Sequence, residues 1–261
     1  MGTGLDGCLE EMDRRGLLPA DCLTVCCVGP VARGWADGGG CYDFQIVSAT
    51  PFDAAGAHPL PVALDPPEVP CVVTQVTDRR WELTYWGAAQ VRQVLAKVTW
   101  EQFERGGPAV AALTEAEELF LERMSAGRAL SGTGWAEECR RQVAESAFRA
   151  IVTTRSLAAA DSVIEDAVRR LAAQDVESAV LSARQALGHT VDALLESEGD
   201  FGPRVPRWRA RRLRETRPAA LPFAEYWAME TMRAFDPARP EAWVTAVLQR
   251  CRDLAFEVEI S

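Results

Sequence analysis

The chain has 261 residues, 48% of them hydrophobic and 25% charged, a composition typical of a folded globular protein rather than a disordered one. Its formal net charge of −10 argues against a general nucleic-acid-binding protein, because a phosphate backbone requires a basic surface. With Lys97 as the single lysine and only His58 and His189, Schiff-base or P-loop lysine chemistry has almost no candidates, and a histidine-cluster metal site is excluded.

The eight cysteines form no CxxC pair, so the sequence predicts neither a disulfide framework nor a zinc site. No apolar run approaches the roughly 18 residues that a membrane span requires. No N-terminal apolar segment has the length of a signal sequence. We therefore expect a cytoplasmic protein without a membrane partner.

Helices and strands alternate in the first part of the chain. Apolar spacing predicts a helix over residues 4–15, a buried strand over 22–28 and a second strand over 44–47. Residues 49–70 are predicted to form an irregular surface loop, because their prolines remove backbone donors. These prolines are Pro51, Pro59, Pro61, Pro66, Pro67 and Pro70.

A hairpin is predicted next, with strands over residues 72–76 and 81–86 and a turn over 77–80. Alternation places Trp81, Leu83 and Tyr85 on one face of the second strand and Glu82, Thr84 and Trp86 on the other. A helix over 88–96 follows.

The best predicted domain boundary is Gly106-Gly107-Pro108, and everything beyond it has helical spacing. The fold class is therefore expected to be α+β, with a mixed α/β domain over residues 1–106 and an all-helical domain over 107–261.

One motif connects the first two strands: GPVARGW at residues 29–35, followed by GCYD at 40–43. The order is buried strand, glycine turn, short helical turn, loop, and a second strand with an acid near its start. It resembles the signature of the nucleotidyltransferase superfamily, the DNA polymerase β-like group that includes antibiotic nucleotidyltransferases. The family pattern is G-S-x-A-R-G-W-x-x-x-x-S-D-x-D. Pro30, Gly40 and Cys41 stand here in place of its two serines and its first aspartate.

The resemblance implies a nucleotidyltransferase-like mixed β-sheet domain followed by a helical bundle domain. In this family the backbone N–H groups of the turn grip a nucleoside triphosphate, as unpaired donors at a helix start favour anions. It therefore implies that Gly29, Pro30, Arg33 and Trp35 bind the nucleotide. Pro30 lacks both the hydroxyl and one amide donor, so we expect a weaker phosphate grip.

The resemblance also implies a metal site. In the family, two carboxylates of the D-x-D pair share one strand face, and a third from a neighbouring strand helps hold two Mg²⁺ ions about 3.5–4 Å apart. The matching positions are Cys41 and Asp43, with Glu82 as the candidate third acid. Asp43 and Glu82 are the predicted catalytic and metal-binding residues, and Cys41 belongs to the cofactor-binding set. Because cysteine is a poor Mg²⁺ ligand, one ion is easier to hold than a pair.

The intervening Asp37 is interpreted as a solvated turn residue. A second, less specific resemblance covers GHTVDALL at residues 188–195 and FGPRVPRW at 201–208. It is similar to a helix–loop segment of nucleotidyltransferases with an appended helical domain. Seven arginines lie between residues 204 and 217, and Arg204 and Arg207 are predicted to clamp the triphosphate or another anionic substrate. The alternative for most of the seven is a solvated helix face.

Three functions remain open. The first is nucleotidyl transfer from an NTP, with ATP as the expected donor, to a small-molecule acceptor. The second is a catalytically degenerate module that binds a nucleotide or another ligand. The third is the same cleft used for a different reaction, with Cys41 as a nucleophile or with Glu118 or Glu122 recruited.

Overall fold

A computed structural model describes residues 5–35, 40–106 and 113–260. Its chain divides into two compact units, Met1–Phe148 and Arg149–Ser261. The first unit contains the six strands: β1 Cys22–Val28, β2 Tyr42–Ser48, β3 His58–Pro61, β4 Glu68–Val76, β5 Arg79–Gly87 and β6 Arg128–Ser131.

These strands form one mixed sheet in the order β3-β4-β5-β2-β1-β6. β2 and β5 run parallel, and the other neighbouring pairs are antiparallel. The first unit also contains the helices α1 Cys8–Arg14, α2 Gly29–Ala32, α3 Ala88–Lys97, α4 Trp100–Glu104, α5 Glu115–Ala126 and α6 Thr133–Glu145.

The second unit is helical. Its elements are α7 Phe148–Ala172, which begins at the last residue of the first unit, α8 Val176–Ser197, α9 Pro206–Thr216, α10 Phe223–Glu230 and α11 Pro240–Glu257. α8 packs against α11, and apolar side chains of both helices form the core of this unit. The predicted α+β class, a mixed sheet followed by helices, is confirmed.

The sheet buries alternate residues of its central strands in one apolar cluster. Phe44 and Ile46 of β2 and Trp81, Leu83 and Tyr85 of β5 belong to this cluster, as alternation predicts. Their neighbours in sequence therefore face the other side of the sheet, which includes the predicted acids.

The proline-rich segment differs from its prediction as an irregular loop. It contains β3, and it leads into β4 earlier than predicted; Pro59 pairs with Pro70 across the two strands. β3 is an edge strand of the sheet. An edge strand tolerates proline because one side of it needs no ladder hydrogen bonds.

The prediction that everything beyond residue 106 is helical is also wrong. β6 pairs with β1 at the opposite edge of the sheet from β3. This strand has four half-exposed or exposed residues, too few to produce a clear alternation of apolar and polar positions.

The predicted boundary at Gly106 differs from the division of the described fold, which follows Phe148. β6 joins the sheet, and α5 packs against β1 and β2, so residues 113–148 complete the first unit. Gly107 and Pro108, like Gly4 of the first predicted helix, lie outside the described residues.

Lys97 fixes the proline-rich segment to α5. Its Nζ lies 2.7 Å from Glu117 Oε2 and donates to the carbonyl of Ala63 at 2.9 Å. Glu117 is completely buried and also accepts hydrogen bonds from the backbone N–H groups of Ala63 and Thr114. A buried carboxylate is stable only when it is paired and hydrogen-bonded in this way.

No helix in the described ranges is both long and apolar enough to cross a membrane. All eight cysteines are free, and six of them are buried.

We expect Lys97→Met to lower the free energy of unfolding by about 3 kcal/mol, because it leaves the buried Glu117 carboxylate without its cation. The control is Arg105→Gln, which breaks an exposed pair with Glu101 and is expected to cost less than about 1 kcal/mol. Urea unfolding of both variants measures the difference. Equal losses would show that the Lys97 pair is not structurally important.

Candidate functional site

The chain bends sharply between β1 and α2. Gly29 has φ +69°, a left-handed conformation that favours glycine. A Cβ atom at this position would lie 2.6 Å from Asp43 Oδ2. Asp43 is also the register partner of Val28, the residue before the bend. The Asp43 carboxylate therefore lies against the backbone of the turn, as the motif resemblance implies.

The parallel pairing of β2 and β5 places Glu82 directly beside Asp43. Register partners on adjacent strands point to the same face, so the two carboxylates lie on one side of the sheet. Burial raises the pKa of Asp43, and the positive charge of Arg123 acts against this rise. The structure thus brings together Gly29, Asp43 and Glu82, three of the residues predicted from the sequence.

Cys41 occupies the position of the first aspartate in the motif and contacts the second. The Cys41 thiol lies close to the Asp43 carboxylate, and its hydrogen bond is donated to the carbonyl oxygen of Tyr42 at 3.8 Å. Burial and then the negative charge of Asp43 raise the pKa of Cys41 to about 12. The protonated thiol therefore dominates at neutral pH, and this disfavours Cys41 as a nucleophile because the thiolate is the reactive form.

Two arginines surround Glu82. Arg80 Nη2 lies 3.5 Å from Glu82 Oε2, and Arg123 Nη1 of α5 lies 3.6 Å from Glu82 Oε1. The Arg80 side chain is largely exposed, whereas that of Arg123 is mostly covered. The candidate site therefore contains two carboxylates, Asp43 and Glu82, and two cationic side chains, Arg80 and Arg123. Its formal charges are balanced before any ligand binds.

A pair of Mg²⁺ ions does not fit these residues. Asp43 and Glu82 supply two carboxylates, position 41 supplies a soft thiol, and Glu82 already has arginine partners. Across residues 5–35, 40–106 and 113–260, no three His, Cys, Asp or Glu side chains are grouped so that they could hold a metal ion. A single Mg²⁺ ion on Asp43 and Glu82 stays a prediction.

The other predicted residues of the motif lie around α2. Pro30 is its second residue, and Arg33 is its C-cap. Trp35 is buried, and the Arg33 guanidinium carbon lies 4.9 Å from the centre of its ring. The roles of these three residues in nucleotide binding stay predictions. Asp37 lies outside the described residues.

Arg204 and Arg207 belong to the second unit, and their proposed role as an anion clamp stays a prediction. Arg204 Nε lies 2.6 Å from Oε1 of the buried Glu196. Arg207 is exposed on α9, with its guanidinium carbon 5.7 Å from the ring centre of Trp208.

Two other arginines of the same segment are structural. Arg209 and Arg212 are buried, and both form ion pairs with the buried Asp192 of α8. Arg212 also pairs with Asp200. For these two residues the solvated helix face considered from the sequence is wrong, because they hold α9 to α8 through Asp192. The number of arginines in a segment does not show which are buried in ion pairs and which are exposed to solvent, because burial depends on the tertiary structure.

The sequence did not indicate Arg123. It lies on α5 among Phe120, Leu121 and Met124, whose burial orients the helix toward the sheet. The Thr114 capping box identifies the start of α5, but the strand that the helix covers depends on tertiary packing. Arg123 therefore had no detectable signal in the sequence.

The chain matches no protein-family model, and no curated protein matches its sequence. Among solved structures, it is similar to a nucleotidyltransferase-like protein from Exiguobacterium sibiricum 255-15 with 11% sequence identity and a TM-score of 0.48. The alignment covers 95% of this chain and 73% of that one. A likeness this distant carries no argument about what the chain binds or does.

We expect Gly29→Ala to destabilise the first unit by about 1–3 kcal/mol more than Gly16→Ala, because its new Cβ would collide with Asp43. Gly16 has φ +68° and no atom within 4 Å of an added Cβ, so it carries only the cost of the left-handed backbone. Thermal unfolding compares the variants. Equal losses would contradict the close approach of Asp43 to the bend.

A second prediction concerns Glu196. Burial raises the pKa of this carboxyl to about 7. As the pH rises from about 4.5 to 7, Glu196 is deprotonated in the unfolded chain but still protonated in the folded one. The folded state therefore binds more protons than the unfolded state, and the free energy of unfolding falls across that window. Glu196→Gln should therefore gain stability relative to the wild type over the same window, by up to about 3 kcal/mol.

Unfolding free energies at several values between pH 4.5 and 8 test this expectation. Glu198→Gln, which neutralises an exposed acid at the end of the same helix, is the charge-matched control. A constant offset between Glu196→Gln and the wild type at every pH would contradict the prediction.

Proposed function

We propose that this chain is a nucleotidyltransferase-like protein that binds a nucleoside triphosphate, with ATP as the expected ligand. The observation that carries the proposal is the position of Asp43, which lies against the Gly29 bend with Glu82 beside it in register. The resemblance of the 29–43 motif implies a nucleotide at this place. The net charge of −10 favours a small ligand over a nucleic acid.

Binding without efficient group transfer is the function that these residues support best. Nucleotidyl transfer by the family depends on carboxylates that hold two metal ions. Here Cys41, whose pKa is raised to about 12 by burial and by the charge of Asp43, replaces one of the carboxylates. Glu82 is also close to Arg80 and Arg123, which compete with a cation for its oxygens. These features favour a degenerate, ligand-binding member of the superfamily.

Nucleotidyl transfer to a small-molecule acceptor is the second candidate. It is favoured by one observation, the adjacent positions of Asp43 and Glu82 in the β2–β5 register. This candidate requires one Mg²⁺ ion as its cofactor, and the two acids are the residues that would hold it.

Calorimetric titration of the full chain with ATP tests the first proposal. We expect saturable binding with a Kd of about micromolar order, which corresponds to about −8 kcal/mol. Pyrophosphate release from ATP, measured with Mg²⁺ present, is expected to stay at the rate of the buffer. Absence of ATP binding with and without Mg²⁺ would overturn the proposed function.

Two substitutions at position 41 separate the candidates. Cys41→Ser and Cys41→Asp both remove the thiol, but only Cys41→Asp restores a carboxylate beside Asp43. Binding alone predicts that Cys41→Ser keeps the affinity for ATP. Pyrophosphate release by the wild type that increases in Cys41→Asp and disappears in Asp43→Asn would instead establish the second candidate.

A further inference from the structure

One arginine lies beside both acids of the candidate site. The Arg123 side chain is only 16% exposed, and its Nη1 is 3.6 Å from Glu82 Oε1. Burial raises the pKa of Asp43, which pairs in register with Glu82, and the positive charge of Arg123 acts against this rise. A fixed positive charge therefore lies where the motif resemblance implies that metal ions bind.

The contact between Arg123 and Glu82 leaves the guanidinium able to bind another anion. A separation of 3.6 Å exceeds the 2.7–2.9 Å typical of a charge-assisted hydrogen bond. The N–H donors of Arg123 are therefore not used by Glu82. A guanidinium presents two parallel donors that match two oxygens of one phosphate.

Packing holds Arg123 in this place. Its neighbours Phe120, Leu121 and Met124 are fully buried, and α5 contacts β1, β2 and α2. The side chain therefore projects from a helix whose rotation is set by the core. A preorganised donor of this kind loses little conformational freedom when an anion binds.

The charges of the site also differ from those of a metal centre. Asp43 and Glu82 carry two negative charges, and Arg80 and Arg123 carry two positive charges when all four groups are ionised. Two Mg²⁺ ions would add four positive charges to a site that is already balanced. The arginines distinguish the two ligands, because a guanidinium repels a metal ion and donates hydrogen bonds to phosphate oxygens.

We propose that Arg123 takes the place of a metal ion in this site, so that a nucleoside triphosphate binds through its phosphate oxygens without a divalent cation. This inference rests on the proposed function and specifies the ligand as the metal-free triphosphate. It gives Glu82 the opposite role to that of a metal ligand, because the negative charge of its carboxylate repels a phosphate bound at Arg123.

The sign of the effect of Glu82→Gln is the decisive test. If Glu82 holds a metal ion, its neutralisation weakens ATP binding. If Arg123 holds the phosphate, Glu82→Gln removes the repelling charge and is expected to tighten ATP binding about threefold to tenfold in EDTA. Calorimetric titration of the full chain with ATP, in EDTA and in excess Mg²⁺, measures both conditions.

Substitutions of Arg123 complete the test. Arg123→Gln is expected to weaken ATP binding in EDTA at least about tenfold, because a charge-assisted hydrogen bond is lost. Arg123→Lys keeps the positive charge but lacks the two parallel N–H donors of the guanidinium, so its affinity for ATP should lie between those of Arg123→Gln and the wild type. The charge-matched control is Arg141→Gln on α6, whose partners Glu138 and Glu145 are exposed, and it should keep the wild-type affinity.

Circular dichroism of each variant checks that the fold is kept. If Arg123→Gln does not fold, the change in ATP affinity caused by Glu82→Gln still distinguishes binding of the phosphate by Arg123 from binding through a metal ion. Binding of ATP only with Mg²⁺, together with weaker binding by Glu82→Gln, would overturn this inference and leave the proposed function intact. Absence of ATP binding in both buffers would overturn the proposed function itself.

Discussion

The parallel pairing of β2 with β5 determines where every acid of the candidate site lies. It sets Asp43 and Glu82 side by side on one face of the sheet. The residues that flank each acid in its own strand belong to the apolar cluster on the other face. A shift of one residue in this register would turn one strand over relative to the other and bury its carboxylate among aromatic side chains. The core therefore keeps the two acids on one face, because the burial of alternate residues excludes such a shift.

The helix α5 supplies the arginine of the candidate site, which the sheet does not contain. It covers β1 and β2, places Arg123 beside the two acids, and is fixed at its first turn by Glu117. The same Glu117 carboxylate binds Lys97, so α5, α3 and the proline-rich segment share one buried charge. The position of the arginine thus depends on a polar contact remote from it in sequence. Stability and the proposed ligand binding are connected through this single helix.

The sequence by itself determined the elements whose signal is local. β1 agrees with its apolar run, and the β4–β5 hairpin forms where predicted, although residues 79 and 80 belong to β5 and not to the turn. The glycine bend and its following acid are where the 29–43 motif places them. Three features of the candidate site, Gly29, Asp43 and Glu82, could therefore be named in advance. β3 and β6 could not, because prolines and short length hide strands that are stabilised by pairing with a neighbour.

Only the tertiary structure decided the chemical character of the site. The approach of Arg123 to Glu82 and the extension of the first unit to Phe148 both join residues that are brought together by packing. Such contacts depend on which helix covers which strand, and no local periodicity records that choice. The sequence identified the acids, and the fold supplied the arginine that opposes them.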